Sequence, residues 1–296
     1  MRIGEKIKRL RTAKLMTQSE LVGGEITRNM LSRIENGAAQ PSMATVKYIA
    51  ERLNVSAGFL LADEADEMLY FKSAEMGNIK KAYVDKDYAL CREMCKNSEW
   101  SDDELRLILA QSTAQVAIEA FSHGNLRRAA ELFDESLEYC AQTIYDTSVI
   151  LARIKCYFEY MGIISPTLDS NVADEETESV LPILKDDFCI YSALFIYCET
   201  HGFSDKSYLE RGLESLTRGS AYQIHINARR FIYEKNYLEG YNALHDLLFN
   251  DSVELPEPML YFVLGDIELC CKEINDFKSA YDFSKSKIEL IQKLLS

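Results

Sequence analysis

An all-α fold in two parts is predicted by three features of this 296-residue sequence. Apolar residues recur at helical spacing along almost the whole chain, and no segment alternates convincingly as a β-strand would. Only five prolines interrupt the helical pattern. Beyond Leu61, helix pairs recur about every 34–42 residues, as in stacked helical repeats. We therefore expect a five-helix domain over residues 1–62 and a helical-repeat domain over residues 63–296.

The charge of the chain is divided unevenly between these two parts. Residues 1–62 contain ten Lys and Arg and five Asp and Glu, a balance of +5. The rest of the chain contains 23 basic and 42 acidic residues, a balance of −19. A basic domain attracts phosphates, whereas an acidic domain repels them. We therefore expect nucleic acid to bind only to the first part.

Two short helices joined by a tight turn are predicted within the first part. Thr17 and Glu20 stand at capping-box spacing, so their side chains can satisfy free amides at a helix start. Gly23-Gly24 ends that helix. Thr27 predicts the N-cap of the next helix, and Gly37 predicts its end.

The second of these helices presents polar side chains to solvent. Leu31 and Ile34, three residues apart, face the core. In a major groove, arginine pairs with guanine and asparagine pairs with adenine. The pattern therefore predicts a DNA-reading helix, with four candidate base-contacting residues: Arg28, Asn29, Ser32 and Arg33.

The first fifth of the chain resembles the lambda-repressor-like helix-turn-helix family, also called the XRE family. The resemblance rests on the order of the helix cap, the turn, an Arg-Ile-Glu-Asn-Gly run and a following proline. The turn, residues 22–27, is one residue shorter than is usual in the family. The matching segments are Ile3–Arg11, Ser32–Gly37, Pro41-Ser42 and Ile49–Val55.

This resemblance implies roles for further residues. First-turn residues of the second motif helix read bases, which assigns Arg28 and Asn29 to base contacts. The family's acidic residue at Glu35 commonly pairs with an arginine of helix 1, here Arg11, so we interpret that pair as structural. Phosphate contacts, which fix register on the duplex, are expected from Thr17, Gln18 and Asn36.

The second part of the chain is predicted to consist of helix pairs. Three units show the spacing best: residues 117–133 with a turn at Gly124-Asn125, residues 228–244 with Asn236-Tyr237, and residues 264–280 with Asp276-Phe277. They resemble degenerate tetratricopeptide repeats, in which small residues occur where two helices cross closely. Acidic residues 63–67 open the first long helix. The segment Ser165–Glu178 is expected to be an extended connection or an irregular helix.

Stacked helix pairs leave a concave inner surface. An arginine flanked by tyrosines could bind a peptide carboxylate there, although ordinary packing between repeats would also explain such residues. Offsets of three and four place the candidates on one helix face. The candidate effector-binding residues are Tyr222, His225, Arg229 and Tyr233.

The combined layout resembles bacterial peptide-pheromone regulators of the PlcR and Rgg type. This resemblance implies quorum sensing: a homodimer that binds a palindromic operator in double-stranded DNA and is controlled by a short peptide. Two alternatives remain open. The repeat domain could be a protein-interaction scaffold without a small effector, or Cys91 and Cys95 could form a thiol-based sensor.

Enzymatic, metal-binding and membrane functions are not predicted. The chain lacks a phosphate-binding glycine loop, a nucleophile elbow and a His-Glu zinc helix. None of its four histidines is at a ligand spacing from another, so neither a metal site nor a cofactor is expected. No apolar stretch approaches the length of a membrane span. Eight cysteines without a secretory signal are typical of reduced thiols in the cytoplasm.

Overall fold

The computed structural model describes residues 2–62, 64–168, 186–250 and 255–295, and the regular structure of these residues is helical throughout. The predicted all-α class is therefore confirmed. The chain divides into two compact units, Met1–Lys81 and Ala82–Ser296. The domain boundary expected at residue 62 stays a prediction. Of the irregular connection expected at 165–178, Pro166–Leu168 forms a short 3-10 turn. Residues 169–178 lie outside the described residues.

The first unit begins with the five predicted helices. Leu31 and Ile34 are buried against Ile7, Leu21 and Ile49 in one apolar cluster, so the predicted inward face of the second motif helix is confirmed. A long helix follows, and it begins within the acidic run, as expected. The helices are α1 (Ile3–Ala13), α2 (Gln18–Val22), α3 (Arg28–Glu35), α4 (Met43–Arg52), α5 (Ala57–Leu61) and α6 (Glu64–Val84).

The second unit consists of helices that pair with their neighbours in sequence. The three predicted helix pairs are present as α8–α9, α13–α14 and α15–α16. The bounds are α7 (Tyr88–Asn97), α8 (Asp103–Ser122), α9 (Leu126–Cys140), α10 (Ser148–Ile164), α11 (Asp187–His201), α12 (Lys206–Ser215), α13 (Ala221–Tyr233), α14 (Tyr237–Leu248), α15 (Glu257–Glu273) and α16 (Phe277–Leu294).

The turns α6–α7, α8–α9, α13–α14 and α15–α16 share one conformation. In each, a residue with positive φ ends the first helix, and an Asp or Asn at the N-cap begins the second. The amide of that N-cap residue bonds to the carbonyl five residues earlier, as Asn125 does to Ala120 at 2.9 Å. This is the Schellman arrangement, which satisfies the free carbonyls of a helix end. The positive-φ residues are Lys86, Gly124, Lys235 and Asn275.

Five helices of the second unit contact one another in a closed ring. Around the ring, α8 contacts α10, α10 contacts α11, α11 contacts α13, α13 contacts α15, and α15 contacts α8. The helices α9, α12, α14 and α16 each pack against the ring helix that precedes them. The contact between α15 and α8 closes the ring, and next to it the Arg127 guanidinium of α9 donates to the Leu295 carbonyl, just beyond α16, at 3.4 Å.

The centre of this ring is filled by aromatic side chains. Tyr157 stacks on Phe188 with ring centroids 4.3 Å apart, and Phe195 packs against Phe262 at 4.6 Å. Tyr160 is fully buried among them. The open concave surface expected from stacked repeats is therefore occupied by the chain's own side chains. None of the helices in the described ranges is both long and apolar enough to cross a membrane.

Candidate nucleic-acid interface and buried polar cluster

The second motif helix begins and ends where its sequence predicts. The Thr27 hydroxyl accepts the amide of Met30 at 3.2 Å, which caps α3. The capping box of α2 is also formed, because Thr17 and Glu20 exchange hydrogen bonds between side chain and backbone. Gly23, with φ +54°, ends α2. Gly37, with φ +72°, follows the end of α3, as expected of a residue that stops a helix.

The outer face of α3 carries the four predicted base-reading residues. Arg28, Asn29 and Arg33 are exposed, and Ser32 is half-buried. On the opposite face, Leu31 and Ile34 are 0% and 1% exposed, so the amphipathic pattern fixes which side chains remain available to a ligand. Base contact by these four residues stays a prediction.

The carboxylate of Glu35 joins three helices. It accepts hydrogen bonds from Nε and Nη2 of Arg11 at 2.7 and 3.1 Å, so the expected Arg11–Glu35 pair is formed in bidentate geometry. It also accepts the Gln18 side-chain amide at 2.8 Å. Burial raises the pKa of Glu35, but the hydrogen bonds from Arg11 and Gln18 outweigh it and lower the pKa overall. The carboxylate therefore stays ionised and holds α1, α2 and α3 together.

The hydrogen bond between Gln18 and Glu35 places two predicted phosphate-binding residues, Gln18 and Asn36, near the C-terminal end of α3. Gln18 begins α2, and Asn36 follows Glu35 directly at the end of α3. Arg28 and Asn29 lie at the opposite end of α3. Thr17 precedes Gln18, and its hydroxyl is engaged in the capping box. Arg28 and Asn29 therefore lie apart from Gln18 and Asn36, whereas Arg33 lies in the last turn of α3 close to Asn36. Base and phosphate contacts by these residues stay predictions.

Lys6 connects α1 to the C-terminal end of α5. It was not identified in the sequence analysis. Its side chain is fully buried, its ammonium donates to the carbonyls of Phe59 and Ala62, and it lies 5.5 Å from the Phe59 ring centroid. It thereby satisfies carbonyls at the C-terminal end of α5. No local signal in the sequence shows that this lysine is covered by a helix 53 residues away.

In the second unit, the predicted effector residue His225 lies in the buried centre of the ring. Its Nε2 is 2.9 Å from Asp266 Oδ2, and its Nδ1 is 2.8 Å from the Tyr191 hydroxyl. The Tyr160 hydroxyl lies 3.2 Å from that of Tyr191. Burial lowers the pKa of His225, and Asp266 only partly offsets this. A neutral imidazole that donates from Nε2 to the carboxylate and accepts from Tyr191 satisfies the whole chain of bonds.

Arg229 belongs to the same buried cluster. Its Nε lies 3.2 Å from Asp266, its Nη2 pairs with Glu199, and its guanidinium lies 4.4 Å from the Phe195 ring centroid. Two carboxylates therefore already neutralise it. Its Nη1 is buried and has no hydrogen-bond partner.

The other two predicted effector residues lie in different surroundings. Tyr222 is half-buried, with its ring centroid 5.0 Å from that of Tyr191. Tyr233 is 58% exposed and packs at 5.3 Å from Phe203, away from the buried cluster. The structure thus brings Tyr222, His225 and Arg229 together, whereas Tyr233 lines a separate hollow. The partners Tyr191 and Asp266 were missed, because 34 and 41 residues separate them from His225 and no local pattern links them.

All eight cysteines are buried and none forms a disulfide. A hydrogen bond from Cys95 lowers the pKa of Cys91 and outweighs the opposing effect of burial. In the part of the chain that the structure describes, no three His, Cys, Asp or Glu side chains are placed to hold a metal ion.

Comparison with solved structures finds distant similarity along almost the whole length of several chains. A mutant of PrgX has 16% identity and a TM-score of 0.30, with 94% of this chain and 95% of that chain covered. Bacillus thuringiensis PlcR in complex with the peptide PapR7 and DNA has 13% identity and a TM-score of 0.23, with coverage of 99% and 96%. ComR from S. thermophilus in complex with DNA and its signalling peptide ComS has 15% identity and a TM-score of 0.24, with coverage of 97% and 99%.

No curated protein sequence matches this chain. The family model described as helix-turn-helix matches residues 7–60, which span α1 to α5. This match covers the capped α2, the turn at Gly23 and the exposed face of α3. The first unit of this chain therefore contains a helix-turn-helix domain of the XRE type.

Proposed function

We propose that this protein is a homodimeric, sequence-specific DNA-binding transcription regulator of the cytoplasm, without enzymatic activity. The observation that supports this most directly is the exposed face of α3, where Arg28, Asn29 and Arg33 project from a helix anchored by buried Leu31 and Ile34. These side-chain types supply the donors and acceptors that read base edges. The helix-turn-helix match over residues 7–60 supports the same function.

The charge distribution supports binding through this domain alone. The five-helix part carries a balance of +5, whereas the remainder carries −19. Nonspecific binding of nucleic acid depends on neutralising many phosphates. An acidic second unit repels additional phosphates, so we propose that contacts are confined to a short operator.

We further propose that the second unit binds a short peptide and thereby controls DNA binding. The four residues proposed for this role are Tyr222, His225, Arg229 and Tyr233. Because the first three are covered or already paired, a ligand that reaches them must displace side chains of the ring. Tyr233 alone among them is well exposed. A protein scaffold without a small effector is the alternative. A thiol sensor is disfavoured, since Cys91 and Cys95 are both buried.

The experiment that tests DNA recognition is selection from random fragments. The purified full chain is incubated with fragmented DNA, and the retained DNA is sequenced. We expect an enriched inverted repeat, lost in the Arg28→Ala/Asn29→Ala double variant and retained in Lys278→Ala, which removes an exposed cation from the second unit. Enrichment of no sequence, or equal enrichment by both variants, would contradict the proposal.

Peptide control is tested separately by thermal melting against a library of short synthetic peptides. A ligand that binds only the folded chain raises the melting temperature by mass action. A stabilising peptide should also change operator affinity, and Arg229→Ala should abolish that change. Because Arg229 also pairs with Glu199 and Asp266, its variant must first melt cooperatively. A library without any stabilising member would favour the scaffold alternative.

A further inference from the structure

A hollow lies between α12 and α13 in the second unit, outside the filled ring. Its volume is about 300 Å³. Both helices pack against α11, and the hollow opens beside the exposed ring of Tyr233. The lining residues are Phe203, Lys206, Leu209, Glu210, Leu213, Arg230, Tyr233 and Glu234.

The walls of the hollow are apolar and aromatic. Leu209 is buried to 4% exposure, and the rings of Phe203 and Tyr233 lie 5.3 Å apart. Gly202, with φ +64°, turns the chain immediately before Phe203 and leaves room for Tyr233, since an added Cβ would lie 3.1 Å from that ring. Small-molecule sites of roughly 300–1,000 Å³ have this composition, with a few polar groups that orient the ligand. The volume suits one large apolar side chain with its attached backbone.

The rim of the hollow carries charges that are not paired with one another. Lys206 begins α12 and Arg230 lies in the last turn of α13. Among the described residues neither forms an ion pair, unlike the neighbouring Arg229, which is neutralised by Glu199 and Asp266. Glu210 and Glu234 also line the hollow, and they too have no ion-pair partner in the described part of the chain. An arginine in this position is available to hold a carboxylate through two parallel hydrogen bonds.

We propose that this hollow binds the C-terminal residue of a short peptide. An apolar or aromatic side chain occupies the space between Leu209, Leu213 and Tyr233, and the terminal carboxylate pairs with Arg230, with Lys206 adding attraction. The two glutamates repel acidic side chains and accept peptide amides. This inference rests on the proposed peptide control, and it moves the point of entry from the covered cluster around His225 to an open surface on the same helix.

The experiment measures binding of a defined probe to the full chain. N-acetyl-glycyl-phenylalanine carries the aromatic side chain and the free carboxylate, whereas its C-terminal amide lacks the charge. We expect saturable binding of the acid by calorimetry, and binding at least about tenfold weaker for the amide, because a charge-assisted bond is lost. N-acetyl-glycyl-alanine should also bind more weakly, since the apolar walls stay empty. Free phenylalanine distinguishes an amino-acid site from a peptide site, because its ammonium replaces the acyl chain.

Two variants make the assignment specific. Arg230→Gln should weaken binding of the acid about tenfold or more and leave binding of the amide nearly unchanged. Arg218→Gln, which removes an exposed arginine from the loop between α12 and α13 but not from the hollow, should bind the acid as the wild type does. Both variants should melt at the wild-type temperature.

Four results would overturn this inference. They are equal binding of acid and amide, wild-type binding by Arg230→Gln, tighter binding of free phenylalanine than of the acylated probe, and no saturable binding of the probe. None of these results bears on the selection of an operator by the first unit. The experiments therefore distinguish a wrong assignment of the hollow from a wrong assignment of DNA recognition. Conversely, loss of operator selection with intact probe binding would contradict the proposed function and leave the hollow in place.

Discussion

Single residues in this protein set the orientation of the reading helix. Glu35, with a side chain 2% exposed, connects Arg11 of α1 to Gln18 of α2. Gly4 allows α1 to approach α3, because an added Cβ would overlap the Ile34 carbonyl and lie 3.1 Å from the Glu35 Cα. Removing one partner of a buried ion pair lowers the free energy of unfolding by about 3–5 kcal/mol, because the other charge is left without compensation. The exposed residues of α3 are therefore positioned in part by Glu35, Arg11 and Gly4, to which no ligand contact is assigned.

The base-reading assignment predicts different behaviour for two polar residues of the motif. Arg28→Ala should weaken DNA binding by about 1–3 kcal/mol at particular base pairs and relax the preference there. Gln18→Ala should weaken binding about equally for all sequences, since phosphate contacts carry no direct sequence information. Both variants are compared by titration against a panel of single-base operator variants. Uniform losses for both would refute base reading by Arg28.

His225 predicts a pH dependence of stability for the second unit. Burial lowers its pKa in the folded chain below the value of about 6.5 expected when unfolded. The unfolded chain then binds more protons than the folded chain as pH falls through 6.5, so stability is full above this pH and declines below it. Calorimetric melting between pH 7.5 and 5 should show a falling melting temperature.

The control for this dependence is His225→Gln, which keeps an amide donor near Asp266 but does not titrate. Its overall stability should be lower, because the amide does not reproduce both bonds of the imidazole. Its melting temperature should nevertheless change less between pH 7.5 and 5. If the melting temperature of this variant falls with pH as steeply as that of the wild type, the pH dependence arises from groups other than His225.

At the scale of elements, the second unit is built from helix pairs with a common turn. The positive-φ position holds Gly124 in one turn and Lys235 in another, although a side chain at positive φ carries a steric cost. The difference follows from the surroundings of Gly124 in the folded chain. At Gly124 an added Cβ would overlap the Glu257 carboxylate of α15 and lie 2.8 Å from Leu294 at the end of α16.

These two turns therefore predict different effects of substitution on stability. Gly124→Ala should destabilise the second unit by about 1–3 kcal/mol, because strain at positive φ adds to overpacking against α15 and α16. Lys235→Gly should stay within about 1 kcal/mol of the wild type, since relief of strain offsets the added freedom of the unfolded chain. Denaturation by urea, followed by circular dichroism, compares the two. Equal destabilisation by the two variants would show that a side chain at position 124 does not overpack against α15 and α16.

At the scale of the whole molecule, one reading helix is too short to select a genomic site by itself. The residues assigned to base contact occupy two turns of α3, and each mismatched base pair costs only about 1–3 kcal/mol. A two-fold symmetric dimer doubles the contacts and imposes a palindromic operator. The size of the second unit provides ample surface for self-association.

The dimer predicts the geometry of the operator. Its two half-sites should lie about 10 base pairs apart, or a multiple of that distance, because both α3 helices must enter the same face of the duplex. Footprinting on the selected DNA measures the spacing, and light scattering of the complex measures the mass. Insertion of about half a helical turn between the half-sites should abolish tight binding. A monomer on saturated operator DNA would contradict this prediction.

The sequence by itself determined the features that depend on neighbours a few residues apart. The caps at Thr17 and Thr27, the breaks at Gly23 and Gly37, the exposed face of α3 and the turn at Gly124-Asn125 all follow from local hydrogen bonding and helical spacing. The pairing of Arg11 with Glu35 followed from family resemblance, because 24 residues separate them.

Only the tertiary structure decided which distant groups meet. Helical spacing placed Tyr222, His225 and Arg229 on one face of α13, but it did not decide between an open binding surface and packing between repeats. Closure of the ring brings Tyr191 and Asp266 onto His225. Spacing specifies which side of a helix is apolar, whereas the partner on that side depends on how the helices close around a shared core. For the same reason, the hollow beside Tyr233 could be located only in the folded chain.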